Sequence, residues 1–480
     1  MPNAPDSPAA TLSPVSPLSQ RVAWVAAFER RIVEREHDLV AAVRTDIGKP
    51  EWETTTQDVL PLAASLRWHR SAAPRILGAR KLGGAPWWML GQRHWTCRLP
   101  LGRVLVIATW NYPLQLLGVQ LAQSTVAGNR TVVKPSERAP RSQRLLLELA
   151  RAALVDAGLP ADTITSTEAT REAGRDILER ERFDHVVFTG STAVGREIAA
   201  ACARTLTPTT LELSGRDSAI VLADADPAMA ARSIWHAATM NAGQTCMAPR
   251  RALVDRRVLP AFVDALRPLV AAARPVRLAD AAMADRCTAL VRDALASGGG
   301  NLSGVLEPAE HGSMRPTCVA PCPRGAQLVQ GDHFGPVLAV VPVDGLDDAL
   351  AVHRSVGQSL ATSVYCRDPE SVLSNPALLA ALGSNVVTVN DTILPTGHPA
   401  ASIEGRGPSG WGASRGEAGL RAMSREVVVS ATSSLVRTPL DEPDATGKRW
   451  LRRLAFGGRD AAPAGAATTT AHESTAPGRA

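Results

Sequence analysis

Short runs of β-forming residues alternate with helix-length segments from Leu101 onward. The runs are VLVIA (104–108), TVVK (131–134), TITS (163–166), HVVF (185–188), TTLEL (209–213) and SAIVLA (218–223). Strands separated by helices at this spacing indicate an α/β fold with a parallel, doubly wound sheet. Such sheets bind ligands beyond the carboxyl ends of their strands, so we expect the functional residues to follow the β runs.

Changes of pattern along the chain predict five segments. From Gln20 to about Ala72, apolar residues recur at helical spacing, which predicts two or three amphipathic helices. The expected segments are a flexible leader (1–19), N-terminal helices with a first α/β domain (20–226), a second α/β domain (227–400), a Gly-rich stretch with a β run (401–434) and a disordered tail (435–480). With 45% apolar and 20% charged residues, the composition is that of a globular protein.

The charge balance does not indicate a nucleic-acid partner. The chain has 52 basic and 46 acidic residues, a net charge of +6, and the basic residues are spread along its length. Lysine is rare, with Lys49, Lys81, Lys134 and Lys448 the four present. A lysine beside a chemical motif therefore stands out.

Two segments bear on membrane association. Residues 104–129 carry no charge, but Asn111, Gln120 and Asn129 would be costly in lipid, so we expect a buried strand and helix rather than a membrane span. The N-terminus shows no signal-peptide pattern. Near the C-terminus, KRWLRRLAF (448–456) is short, basic and amphipathic. It is compatible with weak contact to an anionic membrane surface, although a solvated or self-docked tail is the favoured alternative.

The cysteines indicate a reducing compartment. Seven of them at irregular spacing in a long chain fit free thiols and a cytoplasmic location better than a disulfide framework. Cys318 and Cys322 form a C-x3-C pair, but no second pair of ligands lies at zinc-site spacing, so we expect no metal site.

The segment FTGSTAVGREIAAA is a candidate phosphate-binding turn. A β run ends at Phe188, Gly190 and Gly195 follow, and a helix comes next. Glycines let the backbone approach a phosphate, and the helix N-terminus offers unpaired N–H groups. The pattern is not G-x-G-x-x-G, so an ordinary strand–turn–helix remains an equal alternative on this segment alone.

The segment NAGQTC offers a candidate nucleophile, Cys246. A buried structural cysteine is the alternative, and it is the commoner situation for an isolated cysteine. Other motifs in the sequence favour the nucleophile over the structural cysteine. The segments WNYP (110–113), KPSE (134–137), LELSG (211–215) and FGP (334–336) all follow β runs, where a sheet would present them at one edge.

Taken in order, the segments TWNYP, VVKPSE, FTGSTAVG, LELSGR, NAGQTC and HFGPV resemble the aldehyde dehydrogenase superfamily, from about residue 20 to 434. Details such as TWNYPLQLL and NAGQTCMAP resemble its class 3, fatty-aldehyde branch. The resemblance implies a Rossmann-like cofactor domain (20–226), a catalytic domain (227–400) and a small β bridging element formed by strands near 92–100 and 425–432. It also implies a homodimer acting on a small-molecule aldehyde.

The resemblance assigns three catalytic roles. Cys246 matches the nucleophile, which attacks the aldehyde as a thiolate. Asn111 matches the amide that, with the Cys246 N–H, stabilises the oxyanion. Glu212 matches the general base that activates water to hydrolyse the thioester, which yields a carboxylic acid.

The same resemblance assigns the cofactor contacts. Lys134 and Glu137 match the pair at the adenosine ribose, where a carboxylate favours NAD, with NADP as an alternative. Gly190, Ser191 and Gly195 match the pyrophosphate turn. The remaining matched positions are Trp110, Ser136, Leu213, Asp332 and Phe334, with Trp110 and Phe334 as apolar walls around the nicotinamide and ribose.

Several positions depart from the family pattern. Asp332 stands where a longer Glu holds the nicotinamide ribose, and Ser214 and Arg216 replace a Gly and a Lys. Ile403 and Glu404 replace a Phe and a Gly near the expected substrate entrance. Two alternatives therefore stay open: a coenzyme A-acylating dehydrogenase, which Glu212 argues against, and a catalytically silent homologue that serves as a scaffold.

Overall fold

The computed structural model describes residues 15–86, 89, 91–304, 312–432 and 442–455. Its α-helices are α1 (Leu18–Glu34), α2 (Glu36–Ile47), α3 (Glu51–Thr54), α4 (Leu60–Leu77), α5 (Gln115–Ala127), α6 (Pro140–Asp156), α7 (Arg171–Arg180), α8 (Thr192–Ala203), α9 (Pro227–Thr239), α10 (Leu259–Ala271), α11 (Ala281–Ala296), α12 (Gln327–Gln330), α13 (Gly345–Arg354), α14 (Glu370–Leu373), α15 (Pro376–Leu382), α16 (Gly416–Ala422) and α17 (Ala445–Ala455). Its strands are β1 (Arg80–Lys81), β2 (Gln92–Pro100), β3 (Arg103–Ile107), β4 (Arg130–Lys134), β5 (Ile164–Ser166), β6 (His185–Gly190), β7 (Thr209–Leu213), β8 (Asp217–Val221), β9 (Pro249–Asp255), β10 (Val276–Arg277), β11 (Ser313–Met314), β12 (Thr317–Val319), β13 (Val337–Val343), β14 (Ala361–Tyr365), β15 (Val386–Val389), β16 (Ile403–Glu404), β17 (Gly410–Trp411), β18 (Ala413–Ser414) and β19 (Ser424–Thr432).

The first sheet confirms the predicted alternation of strands and helices. Its strand order is β17-β7-β6-β3-β4-β5, and every pairing is parallel except that of β17 with β7. The uncharged segment 104–129 forms β3, a turn and α5, and every residue of α5 is buried. Its lack of charge therefore reflects burial inside the protein, as predicted.

The second sheet is parallel, with the order β12-β13-β9-β8-β14-β15. It contains β8, which carries most of the run SAIVLA and which we expected in the first domain. The chain thus passes from one sheet to the other at residues 214–216 rather than at 226. The apolar side chains of β8 pack in the cores of the second sheet, and a short apolar run satisfies either sheet equally, so its pattern could not distinguish them.

The N-terminal helices cover one face of the first sheet. Helix α1 packs on α4 and α6, and α4 packs on α5. Trp24 and Phe28 are fully buried and stack with ring centroids 5.2 Å apart, and the Trp24 indole donates to the Ala150 carbonyl at 3.0 Å. Between α3 and α4 the chain makes one π-helical turn, Thr55–Val59. Such turns are rare and often occur at functional positions.

The described residues within 81–95 and 429–455 form a second compact unit. Strands β1, β2 and β19 make a three-stranded sheet at the positions expected for the bridging strands. Part of the expected leader (1–14) and much of the expected disordered tail (435–441 and 456–480) lie outside the described residues, as do residues 433 and 434 of the preceding segment. Within the tail, residues 445–455 form the exposed helix α17, which carries Trp450 and Leu451 together with basic residues; its contact with a membrane surface stays a prediction. Among the described helices, none has the length and hydropathy needed to cross a bilayer.

Candidate active site

A cavity of about 1080 Å³ opens at the carboxyl ends of β3, β4, β6 and β7. That volume is slightly above the ~300–1000 Å³ usual for small-molecule sites, which suits a large cofactor. Most of the residues matched to the family lie in its wall: Trp110, Asn111, Lys134, Ser136, Glu137, Gly190, Ser191, Glu212, Cys246, Asp332 and Phe334. The structure therefore brings the catalytic and cofactor candidates together.

Cys246 follows a loop with an unusual backbone. Asn241, Ala242 and Gly243 have φ values of 53°, 54° and 70°, three consecutive residues in the left-handed region. The Asn241 side-chain amide donates to the Asn111 carbonyl at 2.8 Å. A Cβ at Gly243 would lie 2.3 Å from the carbonyl carbon of Gly335, so only glycine fits there. The NAGQTC loop is thus packed backbone to backbone against the FGP segment.

Arg250 holds the same loop from the other side, and sequence reasoning missed it. This side chain is buried and donates at 2.9 Å to the carbonyls of both Gly243 and Thr245. Its guanidinium also lies over the Phe334 ring, 5.3 Å from the centroid. Its place in the sequence, four residues after Cys246, could have indicated proximity but not these contacts.

Asn111 is oriented toward the nucleophile loop. The Thr109 hydroxyl donates to Asn111 Oδ1 at 3.1 Å, and Asn111 Nδ2 donates to the Gln244 carbonyl at 3.0 Å. A side-chain amide nitrogen carries two N–H groups. One N–H is engaged by the Gln244 carbonyl, and Asn111 lines the same cavity as Cys246, as an oxyanion-stabilising amide requires.

Glu212 lies on β7 and is 7% exposed. Burial raises the pKa of its carboxyl group, and the charge of Arg415 and a hydrogen bond from Thr189 oppose that shift. The Ser414 hydroxyl, on the strand that follows β17, donates to Glu212 Oε1. A buried carboxyl group with a raised pKa is well suited to exchange protons, as a general base must.

The surroundings of the Cys246 thiol favour its protonated form. Burial and the nearby Glu212 carboxylate raise its pKa to about 12, even though the charges of Arg415 and Arg250 oppose this shift. Since the thiolate is the nucleophilic form, reaction requires a positive charge or a base beside the sulfur.

The wall of the cavity also contains an ion-paired group. Lys134 Nζ donates to Glu137 at 2.9 Å, and Arg171 donates to the other carboxylate oxygen at 3.0 Å. Although partial burial alone would raise the pKa of Glu137, the hydrogen bonds from these two cations hold it at about 2. Ser136 is buried beside this group, and its N–H donates to Gln143 at 2.7 Å.

The glycine turn leads directly into α8. Ser191 caps this helix, its Oγ accepting from the Val194 N–H at 3.4 Å, and the helix N-terminus is at the cavity wall. Gly195 and Leu213 do not line the cavity. A Cβ on Gly195 would lie 2.5 Å from Leu213, so this glycine lets α8 approach β7 closely rather than meeting a ligand itself.

The nicotinamide-side candidates cluster near Cys246. Trp110 and Phe334 meet edge to face, with centroids 5.9 Å apart. Asp332 lines the cavity, and its carbonyl accepts from Arg286 at 2.9 Å. An ion-paired carboxylate, a helix N-terminus and aromatic side chains in the wall of one cavity fit an extended dinucleotide such as NAD.

The four other residues that depart from the family pattern lie in environments that differ from one another. Ser214 lines the cavity, and Arg216 donates to the Gln330 carbonyl at 2.9 Å. Ile403 is buried in a small apolar cluster that includes Met247 and Leu360 and contacts Cys246. Glu404, expected to place a charge near the substrate entrance, is exposed.

A buried ion pair in the N-terminal region contacts the segment that carries Asn111. Lys49 Nζ lies 2.6 Å from Asp58 Oδ2, and both side chains are fully buried. Asp58 Oδ1 accepts from the N–H groups of Leu114 and Gln115 at 3.2 Å, just after WNYP. Lys49 also lies over the Tyr112 ring, 3.9 Å from its centroid.

A second acid from these helices reaches the nucleophile loop. Glu53 Oε2 accepts from the Asn241 N–H at 2.9 Å, and burial raises the pKa of Glu53. The rarity of lysine was the one sequence signal that could have drawn attention to this region.

The known proteins to which this chain is similar are aldehyde dehydrogenases, in agreement with the residues found in the cavity. The model of the aldehyde dehydrogenase family matches residues 10–429. Aldehyde dehydrogenase family 3 member A2 of Mus musculus is 28% identical over 417 residues, covering 84% of this chain and 82% of that protein. The dimeric, NADP-preferring aldehyde dehydrogenase of Canis lupus familiaris is 28% identical over 435 residues, covering 89% and 92%. A crystal structure of a Mycobacterium tuberculosis aldehyde dehydrogenase complexed with NAD+ superposes with a TM-score of 0.79 at 26% identity, covering 89% of this chain and 87% of that one. The chain belongs to the aldehyde dehydrogenase family, within its class 3 branch.

Proposed function

We propose that this protein oxidises an aldehyde to a carboxylic acid with NAD, or alternatively NADP, using Cys246 as nucleophile and Glu212 as general base. The observation that carries the proposal is the convergence of Cys246, Asn111 and Glu212 on one cavity whose wall also contains the Lys134–Glu137 pair. A silent scaffold would have no need to keep all three reactive groups together.

Acylation begins when Cys246 loses its thiol proton to water and the resulting thiolate attacks the aldehyde carbon. The carbonyl oxygen becomes an oxyanion, which the side-chain amide of Asn111 and the backbone N–H of Cys246 stabilise. The bound cofactor supplies a hydride acceptor at this stage. Loss of hydride leaves an acyl thioester on Cys246 and regenerates the carbon–oxygen double bond.

Deacylation is the task of Glu212. Its carboxylate takes a proton from a water molecule, the resulting hydroxide attacks the thioester carbon, and the Cys246 thiolate leaves. The products are a carboxylic acid and a free enzyme. Because this step consumes the thioester with water, it competes directly with transfer to coenzyme A, and the acylating alternative is disfavoured.

Cofactor binding is assigned to residues along the cavity wall. Lys134 and Glu137 would meet the adenosine ribose, Ser191 and the α8 N-terminus the pyrophosphate, and Asp332 the nicotinamide ribose. The tuberculosis relative binds NAD+, and the canine relative is described as NADP-preferring, which supports both cofactors as candidates.

A homodimer in the cytoplasm is the proposed state of the protein. The canine relative is described as dimeric, and the sheet β1-β2-β19 occupies the positions expected for bridging strands. The seven cysteines are all free thiols, in keeping with a reducing compartment.

The proposal is tested by following NADH absorbance with a panel of aldehydes and quantifying the acid product. We expect the wild type to turn over repeatedly without coenzyme A. Glu212→Gln should release one NADH per site in a burst and then slow, because the thioester forms but is not hydrolysed. No NADH with any aldehyde would contradict the proposal, and full steady-state activity in Glu212→Gln would remove the role given to Glu212.

Asp332 is expected to limit hydride transfer. It is one methylene shorter than the glutamate of the family pattern, and a misplacement of roughly 1 Å can cost on the order of 10²-fold in rate. We predict that Asp332→Glu raises kcat while leaving the Kd of NAD, dominated by Lys134 and Glu137, nearly unchanged. Stopped-flow NADH formation and a cofactor titration measure the two quantities. A lower kcat in the variant would mean that the site has repacked around the shorter carboxylate.

A further inference from the structure

Arg415 has a backbone conformation that residues with a Cβ seldom adopt. Its φ and ψ are 61° and 170°, a region populated essentially by glycine alone. Gly416 follows it with a φ of 53°, so at that neighbouring position a glycine does meet the demands of the turn. Strained residues of this kind cluster at functional sites. The presence of a long cationic side chain at this strained position therefore suggests a functional role for Arg415.

Arg415 is fixed by hydrogen bonds to two glutamines of α5, and the residue before it contacts Glu212. With the Gln123 amide oriented to satisfy its neighbours, the oxygen of this buried side chain accepts from the Arg415 N–H at 3.2 Å. An Arg415 guanidinium nitrogen donates to Gln115 Oε1 at 3.4 Å. Gln115 begins α5, four residues after Asn111, so the guanidinium contacts the helix that follows the oxyanion loop. Ser414, the preceding residue, donates to Glu212.

The charge of Arg415 acts on both reactive side chains. Burial raises the pKa of Cys246 and of Glu212, and for each of them Arg415 is the largest influence in the opposite direction. An adjacent positive charge favours the ionised form of a thiol and of a carboxyl group alike. Both ionised forms are needed, one for each half of the reaction.

We propose that Arg415 is a positioning residue whose positive charge favours the ionised, reactive forms of Cys246 and Glu212. The proposal deepens the function proposed above and rests on it. It requires no bond to the substrate and no change in the path of the reaction.

Other groups around Cys246 do not duplicate this charge. Glu212 on β7 and Asp217 on β8 oppose ionisation of the thiol, and the Tyr112 phenol is neutral because burial raises its pKa. Arg250 on β9 is the second cation, but its strongest interactions are with Asp332 and Asp217 and with the carbonyls of the nucleophile loop. Arg415 is the cation that influences both reactive groups.

The test is the rate at which iodoacetamide alkylates Cys246, followed against pH by peptide mass spectrometry on the full-length protein. We expect Arg415→Met to move the midpoint of the rate profile upward by about 1 pH unit, the lower end of the effect of an adjacent charge. Arg415→Lys should stay near wild type because it keeps the charge. Arg425→Gln, an exposed arginine near α16, is the matched control and should not move the midpoint.

A glycine variant separates charge from folding. Arg415→Gly removes the charge together with the backbone strain, so we expect a Tm no lower than that of the wild type and the same upward shift of the alkylation midpoint. A midpoint unchanged in both Arg415→Met and Arg415→Gly would overturn the proposal.

The steady-state pH profile gives a second readout. Loss of the cation should move its rising limb to higher pH, because both Cys246 and Glu212 must lose a proton to act, whereas a merely structural defect would lower the rate at every pH without moving the limb. Alkylation needs neither aldehyde nor cofactor. It therefore tests the role of Arg415 independently of whether the protein shows dehydrogenase activity.

Discussion

Cys246→Ala is expected to abolish aldehyde-dependent NADH formation, a loss on the order of 10⁴-fold or more. Without the sulfur no thiohemiacetal forms, and the remaining groups of the site, Asn111 and Glu212, have no covalent intermediate to stabilise or hydrolyse. The measurement is the initial rate with the best aldehyde found in the panel, together with the binding of NAD to show that the cavity is intact.

A matched control makes this result specific to position 246. Cys366 is also a buried, unpaired thiol, but it follows β14 outside the cavity, so Cys366→Ala should keep near-wild-type activity. Comparable rates in Cys246→Ala and in the wild type would show that another group is the nucleophile and would remove the proposed covalent mechanism.

Lys49→Met is expected to lower the free energy of unfolding by about 3–5 kcal/mol, because it leaves Asp58 charged and unpaired in a buried position. Asp58 also holds two N–H groups at the start of α5, so the loss should disturb WNYP and reduce kcat more than it changes cofactor affinity. Urea denaturation and steady-state kinetics measure the two effects.

The double variant Lys49→Met/Asp58→Leu is the informative comparison. Replacing both members of a buried pair by apolar residues is often neutral or stabilising. The double variant should therefore be more stable than Lys49→Met, yet remain slow because the contacts to Leu114 and Gln115 are gone. Arg35→Ala, which removes an exposed pair with Asp38, should change stability by less than about 1 kcal/mol. If Lys49→Met were as stable as Arg35→Ala, the buried pair would not support the site as we infer.

The local motifs were sufficient to predict much of the fold and the contents of the cavity. The runs before Asn111, Lys134, Gly190 and Glu212 became neighbouring parallel strands, because the carboxyl ends of such strands share one edge of a sheet. The membership of β8 in the second sheet was not predictable, since its apolar pattern suits either core.

The features that sequence reasoning missed are contacts between distant parts of the chain. Lys49 lies between α2 and α3, and Asp58 lies in the π-helical turn, within a segment whose sequence predicts ordinary amphipathic helices. Glu53 contacts Asn241, which is 188 positions away in the sequence. Arg415 is separated from Glu212 by about as much sequence. Periodicity and short motifs describe neighbours along the chain, so they carry no information about which distant charge will be buried against which loop.

The return of the chain to the first sheet has a consequence for biosynthesis. Strand β17 pairs with β7 at Glu212, and Ser414 reaches the same carboxylate across 202 positions. A ribosome has therefore made the nucleophile and the whole second sheet before the surroundings of the base can be completed. Contacts of such long range form slowly. A prematurely released polypeptide would contain the reactive sulfur but neither Ser414 nor Arg415, so an interrupted translation product is not expected to act as a partial enzyme.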